Sequence, residues 1–239
     1  MTELLHGTYR DRPDRQLTTA ELWTVTSWWS RYPRRTSEAI RRHERIARWR
    51  DLALVVIGSP LWLPLIGLIA LMVKLQDPSA PTLFRQARTG RDGRRFAVLK
   101  FRTMVKDAES IKQDLLHLNE LVWPDFKISN DPRVTRIGKL LRASSLDEFP
   151  QLFNVVKGDM GLVGPRPTSF GLETYEAWHT ARVDLRPGVT GLWQVAARAD
   201  LNWTERVRLE LAYHQRCCSK LDFEILLRTI GAVLSRSGR

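Results

Sequence analysis

Residues 52–73 read LALVVIGSPLWLPLIGLIALMV, a run of 22 residues without a charged side chain. A helix needs about 20 consecutive apolar residues to cross the hydrocarbon core of a bilayer. The run is therefore long enough to span a membrane. The way in which the chain enters and leaves the membrane determines where the segments on either side of the run lie.

Both flanks of this apolar run are strongly basic. Positive charge marks the cytoplasmic side of a membrane segment, so a simple span would place one basic flank on the wrong side. The upstream flank contains Arg31, Arg34, Arg35, Arg41, Arg42, Arg45, Arg48 and Arg50, and the downstream flank contains Lys74, Arg85, Arg88, Arg91, Arg94, Arg95, Lys100 and Arg102.

Two prolines inside the run offer a solution to this topology problem. Pro60 and Pro64 have no amide N–H, so each removes one helical hydrogen bond, and the sequence predicts a break at Ser59-Pro60. At 1.5 Å per residue, the arms 52–59 and 60–73 reach about 12 Å and about 21 Å, roughly one leaflet each. A re-entrant helix hairpin that enters and leaves on one face is one interpretation, and an ordinary kinked transmembrane helix is the other.

Composition places the chain among proteins with an anionic partner. Its 239 residues carry a formal net charge of +12, and 43% are hydrophobic, enough to form a sizeable core. Nucleic acid, anionic lipid and a phosphorylated substrate all fit such a charge. The two cysteines are neighbours, Cys217 and Cys218, and no Cys or His spacing is typical of a metal site.

The rest of the chain predicts a mixed, helix-rich α/β domain. The segment 82–104 reads as a β-hairpin whose turn is TGRDG at 89–93, and its second strand places Phe96, Val98, Lys100 and Arg102 on one face. The PGVTGLWQV segment reads as a turn followed by a strand. Helices are predicted at 105–121, in the basic segment after Asp131-Pro132, from the acid pair to Gly158, at 202–216 and at 222–235.

Residues 145–152, SLDEFPQL, place two carboxylates side by side in this basic chain. Pro150 is tolerated in the first turn of a helix, and Asp147 would be a good N-cap there. The pair Asp147-Glu148 could therefore act only as a helix cap, or it could be a reactive pair. The pattern alone leaves both interpretations open.

The segment Gly164-Pro165-Arg166-Pro167 fixes the backbone on both sides of one arginine. Proline restricts φ, so the Arg166 side chain is aimed at little conformational cost. Because a guanidinium recognises phosphate with two parallel hydrogen bonds, Arg166 is a candidate phosphate ligand.

Three long segments together resemble the bacterial sugar transferase family. They are LKFRTM at 99–104, RVTRIGKLLRASSLDEFPQLFNVVKGDMGLVGPRP at 133–167 and PGVTGLWQV at 187–195. The Ser59-Pro60 pair in an apolar hairpin also matches these monotopic phosphoglycosyl transferases. The resemblance covers roughly residues 46–232.

The resemblance implies an activity and roles for particular residues. Members of the family transfer a sugar phosphate from a UDP-sugar to a polyprenyl phosphate, release UMP, and need Mg²⁺. By similarity, Asp147 is the nucleophile that forms an acyl-phosphate intermediate, and Glu148 is the Mg²⁺ ligand. Ser59 and Pro60 form the membrane break, and basic positions around the phosphates are matched by Lys100, Arg142, Arg166 and Arg198.

The resemblance also predicts an organisation and a location. We expect a polar and basic extension with an interfacial helix at 1–45, a re-entrant membrane hairpin at 46–75 and a cytosolic catalytic domain at 76–239. The chain would sit monotopically in the inner membrane, against anionic headgroups, with its catalytic domain on the cytosolic face, and would start exopolysaccharide or glycoconjugate assembly. Association with further copies of the chain is left open, and no nucleic acid is expected.

Two other functions compete with this assignment. A basic membrane protein that binds nucleic acid would explain the charge, but the sequence contains no helix-turn-helix, zinc-finger or RNA-binding motif. A scaffold of the same fold without catalysis would explain the membrane run. The presence of Asp147, Glu148 and Arg166 argues against the scaffold.

Overall fold

A computed structural model describes residues 27–120, 128–196 and 201–234. The fold is mixed and helix-rich, as predicted. The helices are α1 (Ser37–Gln76), α2 (Arg136–Ala143), α3 (Gln151–Lys157), α4 (Leu192–Ala196), α5 (Trp203–Arg216) and α6 (Ser219–Leu234), and the strands are β1 (Leu83–Thr89), β2 (Arg95–Phe101), β3 (Gly161–Val163) and β4 (Gly188–Thr190). Short 3₁₀ helices occupy Ser27–Arg31, Arg91–Gly93, Leu116–Leu118, Leu146–Glu148, Leu172–Thr174 and Ala177–Val183.

The basic segment and the apolar run form one helix, α1. It begins after Thr36, whose side chain accepts the Ala39 N–H, and it ends before Asp77. The predicted break at Ser59-Pro60 is absent from the secondary structure, because helical backbone continues through both Pro60 and Pro64.

The physical reason is that a proline removes single hydrogen bonds without forbidding helical φ and ψ. Side chains near the prolines support this part of the helix. The indole Nε1 of Trp62 donates to the carbonyl of Val55 at 2.8 Å, and the Trp62 ring packs edge-on against Phe153, with 5.3 Å between ring centroids. The prolines therefore weaken α1 locally without ending it.

By length and composition, α1 is the one helix in the described ranges that could cross a membrane. Many of its apolar side chains are exposed on the surface of the protein. Among the exposed ones are Leu54, Val56, Ile57, Leu61, Leu63, Leu68, Leu71 and Leu75. A soluble core helix would bury these side chains, so the exposed surface suits contact with lipid.

The predicted hairpin is confirmed. Strands β1 and β2 pair antiparallel, with Leu83 opposite Phe101 and Thr89 opposite Arg95. The turn requires left-handed backbone at Asp92 and Gly93, with φ of 53° and 75°. The helix predicted at 105–121 is wrong where it can be checked: residues 105–120 form turns and the short 3₁₀ helix Leu116–Leu118.

Strands β3 and β4 form a second sheet, which is parallel. Strand β3 pairs with β4, with Gly161 opposite Gly188 and Val163 opposite Thr190. The segment PGVTGLWQV was predicted to become a strand after its turn, but only its first part does. The strand ends at Thr190 and the chain continues as the short helix α4.

Three clusters of buried side chains hold the domain together. The largest packs Trp29 with Leu185, Leu192 and residues of α5 and α6. The other two both include α1: Val55 lies with Val98 and Met160, whereas Ile69 and Val73 lie with Phe101 and Leu141. Helix α1 therefore contacts the same body on both sides of its prolines.

The predicted boundary between residues 45 and 46 falls inside α1. Part of the predicted extension also belongs to the domain, because Trp29 is 2% exposed within the largest cluster. The capping pattern at Thr18 and Glu21 lies outside the described residues.

Candidate active site

The acid pair is brought to strand β2 by one asparagine of helix α3. The Asn154 side chain accepts the Leu99 N–H at 3.0 Å and donates to the Ala97 carbonyl at 2.8 Å. Its amide therefore behaves like a neighbouring strand and satisfies two backbone groups of β2. Because Asn154 is 2% exposed, these bonds are shielded from water. No local sequence pattern distinguishes Asn154 from an ordinary helix residue.

Helix α2 lies against the chain just beyond β2. The Thr135 hydroxyl caps the helix by accepting the Gly138 N–H at 3.0 Å. A Cβ at Gly138 would lie 2.1 Å from the Thr103 carbonyl oxygen, so only glycine allows this approach. Near the end of the helix, Arg142 Nε donates to Thr103 Oγ1 at 2.9 Å, which turns its guanidinium toward the acid pair.

The acids occupy the 3₁₀ helix Leu146–Glu148, between α2 and α3. The predicted capping role of Asp147 is wrong, because α3 begins at Gln151 with Pro150 in the N-cap position and no side-chain cap. Before the acids, Ser145 adopts left-handed backbone with φ of 56°. Such a conformation is uncommon for a residue other than glycine, and it occurs here at the reversal that presents the two carboxylates.

Glu148 is held by two cations. Its Oε1 accepts Lys100 Nζ at 2.6 Å and Arg166 Nη2 at 2.7 Å, and its Oε2 lies 3.4 Å from Arg166 Nη1. Burial alone would raise the pKa of Glu148, but the guanidinium of Arg166 and the ammonium of Lys100 hold that pKa well below its usual range. Glu148 is therefore a fixed negative charge.

Asp147 differs from its neighbour because its carboxylate makes no hydrogen bond with any residue that the structure describes. Burial, with a smaller contribution from Glu148, raises the pKa of Asp147. The charges of Lys100, Arg142 and Arg166 oppose this shift. A half-buried carboxylate with cations around it and no partner of its own is available for reaction.

A further arginine, Arg88 on β1, was missed by the sequence analysis. It donates to Gln86 Oε1 at 3.0 Å through Nε and to the Pro167 carbonyl at 3.2 Å, and it has no carboxylate partner within the described ranges. Burial and the neighbouring charge of Arg166 lower the pKa of Arg88 to about 10. An unpaired, partly desolvated cation beside Arg166 is suited to an anionic ligand.

The hairpin register contained a signal for Arg88. Arg88 lies opposite Phe96, and directly opposed residues of an antiparallel pair share a face. Phe96 shares its face with Lys100 by period-2 alternation. Once the turn at 90–93 is placed, Arg88 and Lys100 are therefore predicted on the same side of the sheet.

The charged side chains of the site carry a net positive charge. Four cations, Lys100, Arg88, Arg142 and Arg166, face two carboxylates, which leaves two unneutralised positive charges. That excess complements a diphosphate. The remaining predicted phosphate-binding residue, Arg198, lies outside the described residues.

The predicted metal ligand, Glu148, is already engaged through Oε1, and no group of three or more His, Cys, Asp or Glu side chains suited to a metal occurs within the ranges described. The described residues therefore offer no complete ligand set for a metal. Mg²⁺, however, is commonly held by one or two carboxylates together with substrate phosphates. The free carboxylate of Asp147 and the less occupied Oε2 of Glu148 fit such a shared site.

Comparison with known proteins agrees with the family resemblance found in the sequence. The family model described as bacterial sugar transferase matches residues 42–236. Over 211 residues (85% of the chain) the sequence is 40% identical to the UDP-galactose-lipid carrier transferase of Erwinia amylovora. Over 193 residues (79%) it is 40% identical to the undecaprenyl-phosphate galactose phosphotransferase of Salmonella typhimurium.

These two relatives are longer proteins, and the chain covers 44% and 39% of their lengths. A relative of similar size is the exopolysaccharide production protein ExoY of Rhizobium meliloti, which is 37% identical over 192 residues, or 78% of the chain and 84% of ExoY. The chain belongs to the bacterial sugar transferase family.

Proposed function

We propose that this protein transfers a sugar 1-phosphate from a UDP-sugar to undecaprenyl phosphate and releases UMP, as the first membrane step of polysaccharide assembly. The names of the Erwinia amylovora and Salmonella typhimurium relatives support both substrates. The observation that carries the proposal is the asymmetry of the acid pair. Glu148 is held between two cations, whereas the Asp147 carboxylate makes no hydrogen bond to any described residue.

In the first step, a carboxylate oxygen of Asp147 attacks the β-phosphorus of the UDP-sugar. A new O–P bond forms, and the bond from that phosphorus to the bridging oxygen breaks. UMP leaves with the bridging oxygen and the electron pair of the broken bond. The product is an aspartyl phosphosugar, a covalent intermediate of the kind that divides one difficult displacement into two easier ones.

In the second step, a phosphate oxygen of undecaprenyl phosphate attacks the same phosphorus. The Asp147 O–P bond breaks, and the carboxylate is restored. The lipid now carries a diphosphate linked to the sugar. Because both displacements occur at one phosphorus, one nucleophile is sufficient, and the two substrates can use one set of cations in turn.

The cations of the site suit both steps. Phosphoryl transfer depends on positioning and on stabilising charge over the phosphate oxygens. Arg142 and Arg88 have no carboxylate partner among the described residues and can turn to the substrate. Lys100 and Arg166 hold Glu148, and their remaining N–H groups can face the diphosphate.

We propose Mg²⁺ as the cofactor, bound together with the donor diphosphate through Asp147 or the Oε2 of Glu148. When bound, the ion would screen the phosphate charges and stabilise the departing phosphate. Arg166 and Lys100 keep the Glu148 carboxylate ionised and oriented in either case.

We also propose that α1 is re-entrant and that the catalytic domain faces the cytoplasm. Hydrogen bonds from both sides of the prolines support this. Before them, Arg48 Nη2 donates to the Val156 carbonyl at 2.9 Å; after them, Gln76 Oε1 accepts the Ile137 N–H at 3.0 Å. A helix that crossed the bilayer could not bring both of its ends to one domain.

The covalent step is tested by supplying donor without acceptor. Purified full-length protein in nanodiscs is mixed with UDP-galactose or UDP-glucose and no undecaprenyl phosphate. We expect one stoichiometric burst of UMP and a hexose phosphate on the peptide that contains Asp147, found by mass spectrometry. UMP release that requires the acceptor, with no modified peptide, would point to direct transfer instead.

The topology is tested by cysteine labelling in a background that lacks Cys217 and Cys218. Single cysteines replace the exposed Arg41 and Arg94, one on each side of the apolar run. An impermeant maleimide should label both from the cytoplasmic face only. If the two positions are labelled from opposite faces, α1 spans the bilayer and the re-entrant proposal is wrong.

A further inference from the structure

The loop Gly164–Pro167 is held by hydrogen bonds at each of its carbonyls after Gly164. The Pro165 carbonyl accepts the Gly188 N–H at 2.9 Å, and the Pro167 carbonyl accepts Arg88 Nη1 at 3.2 Å. Pro165 and Pro167 also fix φ on both sides of Arg166. The backbone that carries Arg166 is therefore constrained from several directions.

Both backbone groups of Arg166 are hydrogen-bonded to one buried ion pair. Its N–H donates to Glu210 Oε1 at 2.9 Å, and its carbonyl accepts Arg182 Nη2 at 2.7 Å. The circle is closed by Arg182 Nε, which donates to Glu210 Oε2 at 2.6 Å. We call Arg182 and Glu210 the clamp.

The clamp is among the least exposed charged pairs of the described residues, with side chains 4% and 3% exposed. Burial alone would lower the pKa of Arg182, but Glu210 more than offsets this and the pKa is raised. Arg182 Nη1 also donates to the Tyr175 hydroxyl at 2.8 Å. Each charge of the clamp is thus paired and hydrogen-bonded, as burial demands.

Stability alone does not explain such a pair. Replacing a buried ion pair with apolar side chains of similar volume is often neutral or stabilising. What apolar residues could not do is bind the N–H and the carbonyl of Arg166 at once. The feature specific to this pair is therefore its hydrogen bonding to the backbone of Arg166, the residue that binds Glu148.

We propose that Arg182 and Glu210 are positioning residues for Arg166, and through Arg166 for Glu148. The proposal rests on the proposed sugar-phosphate transfer. By fixing the Cα of Arg166 on both sides, the clamp directs the guanidinium so that Nη2 meets Glu148 Oε1 at 2.7 Å. Neither Arg182 nor Glu210 needs to touch the substrate.

The test exchanges the whole clamp in the variant Arg182→Met/Glu210→Leu. Changing one partner alone would leave a buried unpaired charge and destabilise the fold, whereas the double exchange removes both charges together. The exchange also leaves the N–H and the carbonyl of Arg166 without these partners, so we expect a folded protein with a lowered thermal midpoint. We also expect kcat/KM for UMP release to fall about tenfold to a hundredfold, as catalytic groups lose their alignment.

A double-mutant cycle separates positioning from a general structural effect. The same exchange is made in an Arg166→Ala background, where the side chain to be positioned is missing. There it should change kcat/KM less than about threefold, because interacting residues are non-additive. The same cycle is also measured with the dissociation constant for UDP, because binding can be measured without turnover. Equal losses in both backgrounds, or no loss in either, would overturn the proposal.

Two further measurements complete the test. If the double exchange does not fold, the cycle is run with Arg182→Lys, which keeps the ion pair but loses the planar fork that reaches both Glu210 and the Arg166 carbonyl. The unchanged protein is assayed in parallel with UDP-galactose, UDP-glucose and undecaprenyl phosphate. If it releases no UMP, the proposed function fails, while the clamp is still judged by the UDP cycle.

Discussion

Replacing Arg166 with lysine keeps the positive charge at the site but removes its planar fork. In the structure the fork spans the carboxylate of Glu148, with Nη2 at 2.7 Å from Oε1 and Nη1 at 3.4 Å from Oε2. A lysine at this position would meet the like charge of Lys100 Nζ, which already lies 2.6 Å from the same Oε1, so we expect it not to reproduce the short bond. The substitution therefore tests geometry at constant charge.

The expected loss follows from these distances. The 3.4 Å contact is long for a hydrogen bond and contributes little, so the short bond to Oε1 carries most of the interaction. A hydrogen bond to a charged group contributes about 1.5–3 kcal/mol. If this energy is lost from the transition state, kcat/KM falls about tenfold to 150-fold, at 1.36 kcal/mol per factor of ten.

The assay is steady-state release of UMP from UDP-galactose or UDP-glucose with undecaprenyl phosphate in nanodiscs. The matched control is Arg94→Lys, since Arg94 is exposed and its side chain makes no hydrogen bond in the described part of the chain. The control should retain full activity, and both variants should keep the thermal midpoint of the unchanged protein. Unaltered kcat/KM in Arg166→Lys would refute the role of the fork and leave Arg166 only its place in the turn.

Four other substitutions or conditions extend these expectations. Asp147→Asn should abolish both turnover and the UMP burst. Because burial raises the pKa of Asp147, its ionised form destabilises the fold near neutral pH, and the neutral amide should therefore raise the thermal midpoint there. The difference in thermal midpoint should disappear in acid, where the carboxyl of the unchanged protein is protonated as well. In the unchanged protein, kcat/KM should fall with decreasing pH through a pKa above the ordinary aspartate range, while Glu148 stays ionised. Arg88→Met should raise KM for the UDP-sugar more than it lowers kcat, and isothermal titration with UDP should show the weaker binding. Asn154→Leu should cost about 2–5 kcal/mol of unfolding free energy in a denaturant titration, because two buried backbone groups of β2 lose their partners.

Local chemistry made much of the site predictable. The hairpin could be placed from TGRDG, and Arg166 could be selected from its flanking prolines, because turn residues and prolines act through the chain next to them. Lys100, Arg142 and Arg166 lie around Asp147, and that they bind the substrate phosphates stays a prediction. Whether Asp147 is the nucleophile remains a prediction.

Other features depend on contacts distant in sequence, which no local pattern contains. Asn154 reads as an ordinary helix residue until its amide is seen against Ala97 and Leu99. The clamp joins Arg166 to residues 16 and 44 positions away. Asp147 was a reasonable N-cap by residue type, but the left-handed Ser145 diverts the chain into a 3₁₀ helix before α3 begins.

The continuity of α1 bears on how the site would meet the proposed lipid substrate. A straight helix from Asp51 to Gln76 would be about 38 Å long at 1.5 Å per residue, more than the hydrocarbon core of a bilayer. Yet Asp51 Oδ2 accepts the Leu162 N–H at 2.9 Å, and Gln76 accepts that of Ile137 at 3.0 Å. Since β3 and α2 belong to the domain that carries the acid pair, the apolar part of the helix is bonded to this domain on both sides of its prolines. On the proposed re-entrant topology, insertion of its exposed leucines into lipid would bring Asp147 toward the headgroup layer, where the phosphate of the proposed lipid substrate would lie.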